Sequence, residues 1–452
     1  MTRFSMTRFL TCAGVAGLTA AASAQTAPLR FHTQPVEISS ETLANPTDGA
    51  QLVFDEIVEG QGAPWMRLRF DDVALAPGSY LIISSLLDGK FQYLDARSAA
   101  EWYNHSAYFN GDAVQVSLYA APNSEGNRLT IGELILGEWE VSNGGISSQC
   151  GSTDDRIAST EPERARLLNV GCTASLFSED NCFVSAGHCV QSGANTVEFN
   201  VPASLPSGTI VHPGPEDQYS VDSASREFVN GGVGNDWGLF KVFNNSTTGL
   251  TPFQAQGAHL TIASAMPALP ETIDLVGYGI DSGSANQTQQ RSTGPVTSIT
   301  GTTLNHQSDT EGGNSGSSIR GENGEVIAIH THAGCNTQGT GSNASTAITN
   351  SGFQAALADF CGDGGGGDPI PCSDITGFNA SCRRGGRVKA NVTVSSVHNG
   401  KTVTIEIDGT PFTVTIANGK ANLNQSGYGA GSHTVELVDP PGCRSAITVT
   451  CN

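Results

Sequence analysis

Charge is scarce in this 452-residue chain, where only 14% of positions are Asp, Glu, Lys or Arg. It is also lopsided: 22 basic against 43 acidic residues give a formal net charge of −21. A basic face for phosphate backbones is therefore missing, so nucleic acid is excluded as the expected partner. Beyond the first residues no run is long and apolar enough to span a bilayer. No two cysteines form a C-x-x-C pair, which removes the common zinc-ligand spacing, and no metal or cofactor is expected. Long helical windows are few as well, which argues against a helix bundle.

What is present is glycine, proline and moderate hydrophobicity: 54 Gly, 20 Pro and 38% hydrophobic residues. That mixture suits turn-dense β-domains, and the length predicts roughly two to four of them. The first residues read as a secretory leader over 1–24. Arg3 and Arg8 make a basic start, Leu10 to Ala22 is a short apolar stretch, and Ala22-Ser23-Ala24 offers small residues for cleavage. The mature chain is thus expected outside the cell. Losing Cys12 with the leader leaves ten of the eleven cysteines, an even number that predicts disulfides.

Residues 25–145 alternate with period two in Met66-Arg67-Leu68-Arg69-Phe70 and Ala113 to Leu118, with turns at Asp88-Gly89 and Asn110-Gly111. This predicts a β-sandwich, either a propeptide or an accessory binding domain, with Trp65, Trp102 and Tyr108 packed in its core. A junction over 137–170 follows, with Glu138 and Glu140 just ahead of the next domain. Near the end, Gly364 to Gly367 before Pro369 mark a linker over 363–371. The last segment, 372–452, alternates again and predicts an immunoglobulin-like sandwich. Cys372, Cys382, Cys443 and Cys451 are expected to pair among themselves. This module is read as a spacer or as a domain that binds a surface or polymer.

The chemistry lies in the middle. Gly312-Gly313-Asn314-Ser315-Gly316-Ser317 is a serine loop whose glycines allow backbone amides to converge. Upstream stand Ser185-Ala186-Gly187-His188-Cys189 and Asn235-Asp236-Trp237-Gly238, each set in apolar, strand-like sequence. Three polar residues in the order His188, Asp236, Ser315 suit nucleophilic catalysis, because a hydroxyl needs a base and the base needs an orienting carboxylate.

Over roughly residues 150–362 these motifs resemble the chymotrypsin-like serine peptidases. The resemblance implies a double β-barrel of six to eight strands each, and with the N-terminal and C-terminal β-sandwich domains read from alternation the expected fold class is all-β. It implies that His188, Asp236 and Ser315 are catalytic, that the Gly313 and Ser315 amides form the oxyanion hole, and that Cys172 bridges Cys189. Pairing among Cys150, Cys182, Cys335 and Cys361 stays open. Asn314 replaces the aspartate with which digestive relatives bind a freed N-terminus, so activation by that ion pair is not expected.

Within the family, Asp309-Thr310, Ser315-Gly316-Ser317 and Ile329-His330-Thr331 resemble the bacterial glutamyl endopeptidases, as does Asp154-Asp155-Arg156. Thr310 and His330 then fall at the pocket for an acidic side chain. A desolvated carboxylate needs donors there, and an imidazole N–H with a hydroxyl can supply them. Asp309 suggests the alternative, a trypsin-like pocket for Lys or Arg, although Ala333 and Ser345 at the wall positions would narrow the channel. A catalytically silent homologue acting as a binding protein is the remaining alternative. His332 is expected as an exposed loop residue, His212 as a turn residue, and His306 carries no motif of its own.

Overall fold

The computed structural model describes residues 23–140, 147–269, 271–360, 370, 372–383, 385–398, 402–439 and 443–451. Most of the leader, the linker over 363–371 apart from Ile370, and Cys361 lie outside the described residues. The chain divides into two compact units, 1–364 and 365–452.

In the larger unit, strand alternation builds a two-sheet sandwich first. One sheet pairs Phe31–Ser39, Ser124–Gly137, Trp65–Ala74 and Phe109–Asn110. The other pairs Gln51–Glu59, Ala113–Ala120, Tyr80–Ser85 and Phe91–Leu94. Met66, Leu68 and Phe70 face Leu81, Ile83, Val114 and Val116 across a closed apolar core. Strand Trp65–Ala74 is buried beyond that pattern because residues off the core face meet the next domain. Trp65 and Tyr108 pack with Leu29, Leu168 and Ile210, and both rings contact His212 at 5.1 and 4.8 Å. The Gln218 side chain exchanges hydrogen bonds with the Tyr108 backbone, and Asn110 does the same with the His212 backbone. His212, expected as a turn residue, is fully buried, since the sandwich covers it. Burial lowers its pKa, although Glu198 at 2.7 Å opposes that shift.

The middle of the chain forms the two barrels. A closed six-stranded barrel joins Arg164–Leu168, Cys172–Leu176, Cys182–Ser185, Asp236–Val242, Gln218–Asn230 and Thr196–Glu198. A second sheet runs through Gln290–Thr300, Thr272–Gly277, Ser318–Arg320, Val326–His332, Asn343–Ala347 and Thr303–His306, and closes where Thr303–His306 returns to Gln290–Thr300. Strand Ile157–Ala158 extends its edge. Helix Ser351–Phe360 packs Phe353 on Trp237. The fold is all-β with two barrels, as the family resemblance implies.

The smaller unit is again two sheets. Ile375–Arg383, Arg387–Val394 and Lys420–Ser426 face Thr410–Thr415, Thr402–Ile407, Gly431–Asp439 and Ile447–Cys451 over one apolar core. Its disulfides are Cys372–Cys443 and Cys382–Cys451.

Candidate active site

His188 enters from the first barrel, on the one-and-a-half-turn helix Gly187–Gln191 that follows strand Cys182–Ser185. Asp236 opens the strand paired with that one, where Ser185 faces Gly238. The pairing brings the carboxylate under the imidazole. Asp236 Oδ2 lies 2.6 Å from His188 Nδ1, and Oδ1 accepts the His188 backbone amide at 2.9 Å. Asp236 is wholly buried, and its own backbone is tied to Thr346 Oγ1 in both directions. The helix is pinned from behind by the disulfide Cys172–Cys189.

Ser315 comes from the second barrel, on the loop between Thr303–His306 and Ser318–Arg320. First-barrel groups hold this loop: the Thr173 amide donates to the Ser315 carbonyl at 2.8 Å, and Thr173 Oγ1 to the Gly313 carbonyl at 2.9 Å. Gly313 has φ of 106°, and a Cβ there would sit 2.3 Å from the Tyr278 carbonyl oxygen. Only glycine suits that position. The resulting turn aims the Gly313 and Ser315 amides at one oxygen, the Gln25 carbonyl, at 2.7 and 3.2 Å. Two converging donors beside a serine hydroxyl can stabilise an oxyanion.

The Ser315 hydroxyl donates to the Thr331 carbonyl at 3.3 Å and accepts the Gln25 amide at 2.9 Å. His188 Nε2 meets no hydrogen-bond partner among the described residues. The imidazole and the carboxylate are thus engaged with one another, while the hydroxyl is turned to other partners.

Behind the serine loop lies a buried histidine pair. His330, on Val326–His332, is fully buried, and its Nδ1 is 3.2 Å from His306 Nε2. The Ser308 amide donates to His306 Nδ1, which leaves the His306 proton on Nε2, directed at His330 Nδ1. His330 then carries its proton on Nε2, which meets Gln25 Oε1. Burial pushes His306 down to about 3, and burial followed by the neighbouring histidines holds His330 well below the ordinary imidazole range. Both rings are neutral near pH 7, and the outer one is a donor.

Thr310 is buried, and its hydroxyl accepts from Asn343 Nδ2 at 3.0 Å. Ser345 pairs with His330 across the strands, and its buried hydroxyl meets no partner among the described residues. Asp309 stands differently. Its two carboxylate oxygens accept the backbone amides of Cys150 and Asp155 at 2.6 and 2.7 Å, fastening the inter-domain segment. That segment is also tied by the disulfide Cys150–Cys335. His332 is not an exposed loop residue: it ends a buried strand and packs edge-on 6.2 Å from His188, because Ala24 pairs over it. No local signal marks the His306 contact, which forms only when Thr303–His306 lies beside Asn343–Ala347.

Residues 151–351 match the model of the family described as Trypsin. This stretch is a chymotrypsin-like serine peptidase domain. The match supports a peptidase, a hydrolase class whose substrates are proteins or peptides. Among solved structures the chain is similar to a Glu endopeptidase in complex with MPD, at 17% identity and TM-score 0.35, covering 46% of this chain and 97% of that one. It is also similar to the thermostable serine protease AL20 from an extremophilic microorganism, at 17% identity and TM-score 0.34, covering 43% and 94%. Protease Anisep from Arthrobacter nicotinovorans gives 16% identity and TM-score 0.33, covering 42% and 93%. None of the curated proteins matches the chain. In the peptidase and its attached sandwich, as in the C-terminal unit, no described helix is long and apolar enough to cross a membrane.

Proposed function

We propose that this chain is an exported serine endopeptidase that cuts after Glu, and more weakly after Asp. Ser315 is the nucleophile. Its hydroxyl rotates from Thr331 to His188 Nε2, loses its proton there and attacks the peptide carbonyl. His188 then passes the proton to the leaving amine, while Asp236 keeps the ring in the Nδ1–H tautomer and stabilises its charged form. The Gly313 and Ser315 amides meet the developing oxyanion, worth about 10²–10³ in rate per donor.

One observation carries the specificity: the side chain of the residue whose carbonyl lies between those two amides reaches His330 Nε2. Gln25 there has the shape of glutamate, and a carboxylate oxygen in its place would accept the same N–H. Ser345, paired across the strands with His330, and Thr310 are assigned to the same end of the pocket by this proposal. Asp309 favours this reading over cleavage after Lys or Arg, because its two oxygens accept the Cys150 and Asp155 amides and so serve the inter-domain segment. Export through the leader over 1–24 is supported by the disulfides of both units. The test is a peptide-library cleavage profile. Products ending in Glu support the proposal, and products ending in Lys or Arg overturn it.

A further inference from the structure

Residues Ser23–Ala27 thread the catalytic cleft as an extended chain. The Ser23 carbonyl accepts from the Ala333 amide at 2.9 Å, and Ala24 bridges antiparallel to His332. The Gln25 carbonyl takes both amides of the hole, and its side chain meets His330. Past the hole, the Ala27 amide donates to the Gly171 carbonyl at 2.8 Å. Gly171 has φ of 61°, and a Cβ there would lie 1.7 Å from the Ala27 oxygen, so a side chain at 171 and this segment exclude one another. The cleft is thus gripped on both sides of a single peptide bond, Gln25–Thr26, chiefly through backbone. Strand-like addition of this kind is how an extended peptide docks irrespective of most side chains.

Two features distinguish the segment from a substrate in transit. Its Gln25 amide engages Ser315 Oγ, which donates to Thr331 while His188 Nε2 has no partner among the described residues. A hydroxyl without its base is a poor nucleophile. The segment is also part of the same chain, anchored by Leu29 in the cluster of Trp65, Tyr108, Leu168 and Ile210 and then by strand Phe31–Ser39. Such tethering gives an effective concentration on the order of millimolar, which incoming peptides must exceed.

We infer that Gln25–Ala27 is a built-in strap that occupies the cleft as a substrate mimic and keeps the peptidase latent until it is displaced. Removal of the leader after Ala24 takes away the Ser23 and Ala24 contacts. It keeps those of Gln25 and Ala27, so the exported chain remains strapped. The inference rests on Ser315 being the nucleophile and is independent of which side chain the pocket prefers.

The experiment compares two purified proteins, one beginning at Gln25 and one at Pro28, each continuing through Asn452. The readout is the rate at which a small fluorophosphonate labels Ser315, with thermal unfolding to verify folding. Labelling at least tenfold faster in the shorter chain is the expected result. Ala27→Pro in the longer chain removes the amide that donates to the Gly171 carbonyl without shortening anything, and it should accelerate labelling in the same direction. Should the shorter chain fail to fold, this variant decides by the same criterion. Equal rates in folded proteins overturn the strap alone. Absence of labelling in every form overturns the assignment of Ser315, and the strap with it.

Discussion

Asp236 holds His188 at two points, the ring through Oδ2 and the backbone amide through Oδ1. An amide in place of the carboxylate can accept at only one of them. Asp236→Asn should therefore either free the helix start or turn its NH2 toward Nδ1, which puts the imidazole proton on Nε2, where Ser315 needs an acceptor. Hydrolysis of a peptide ester or amide should show kcat reduced on the order of 10³–10⁴ with KM little changed. A loss of less than tenfold would remove Asp236 from the mechanism. Ser315→Ala should lose about 10³-fold or more in kcat with unfolding temperature preserved.

His330→Ala deletes the donor at the closed end of the pocket. A hydrogen bond to a charged group contributes about 1.5–3 kcal/mol, so kcat/KM for a Glu substrate should fall roughly 10- to 10²-fold. Substrates with small neutral residues at the same position should change little. Equal losses for both classes, read from parallel progress curves, would assign His330 to folding rather than to selection.

His306 gives stability a pH dependence of defined sign. Its folded-state pKa, about 3, lies below the unfolded value near 6.5. The unfolded chain therefore binds the extra proton first as pH falls. The contribution is intact above about pH 6.5 and is lost between there and about pH 3, at up to about 1.4 kcal/mol per pH unit. Urea unfolding at pH 7, 6, 5 and 4 should give a steeper decline for the natural chain than for His306→Gln. Parallel declines would show that the ring does not titrate on unfolding.

The bridge Cys172–Cys189 closes a short loop around the His188 helix, with Cys189 Sγ 3.8 Å from the Ser315 carbonyl oxygen. Replacing both cysteines by alanine should cost about 2–4 kcal/mol of stability. It should also lower activity more than the stability loss explains, measured as kcat per folded molecule at a temperature where the variant is native.

Readable residues share one property: their meaning is local. His188 between Gly187 and Cys189, Asp236 before Trp237, and Ser315 among glycines each announce themselves within a few positions, and the alternation of the outer domains shows in any short window. The residues that escaped are defined by what lies across from them. His306 resembles any strand-end histidine until Asn343–Ala347 is laid beside it. His332 seemed exposed because residues some three hundred positions earlier cover it, and His212 read as a plain turn residue because its lid, Trp65 with Tyr108, belongs to another domain. Asp309 has a partner set that its neighbours in sequence do not announce: the backbone amides of Cys150 and Asp155, 159 and 154 positions earlier, donate to its two oxygens.

The apolar cluster of Leu29, Trp65 and Tyr108 with Leu168 and Ile210 bears on any cut after Glu138 or Glu140. Breaking that bond would sever the chain without parting the pieces, since two wedged aromatic rings and a buried exchange of amide hydrogen bonds still join them. The nicked protein should travel as one particle on a sizing column and separate into two bands only in detergent. Departure of the sandwich would bare His212 and its apolar surround, so the fragment would leave only when something else covers that face or when its own fold gives way.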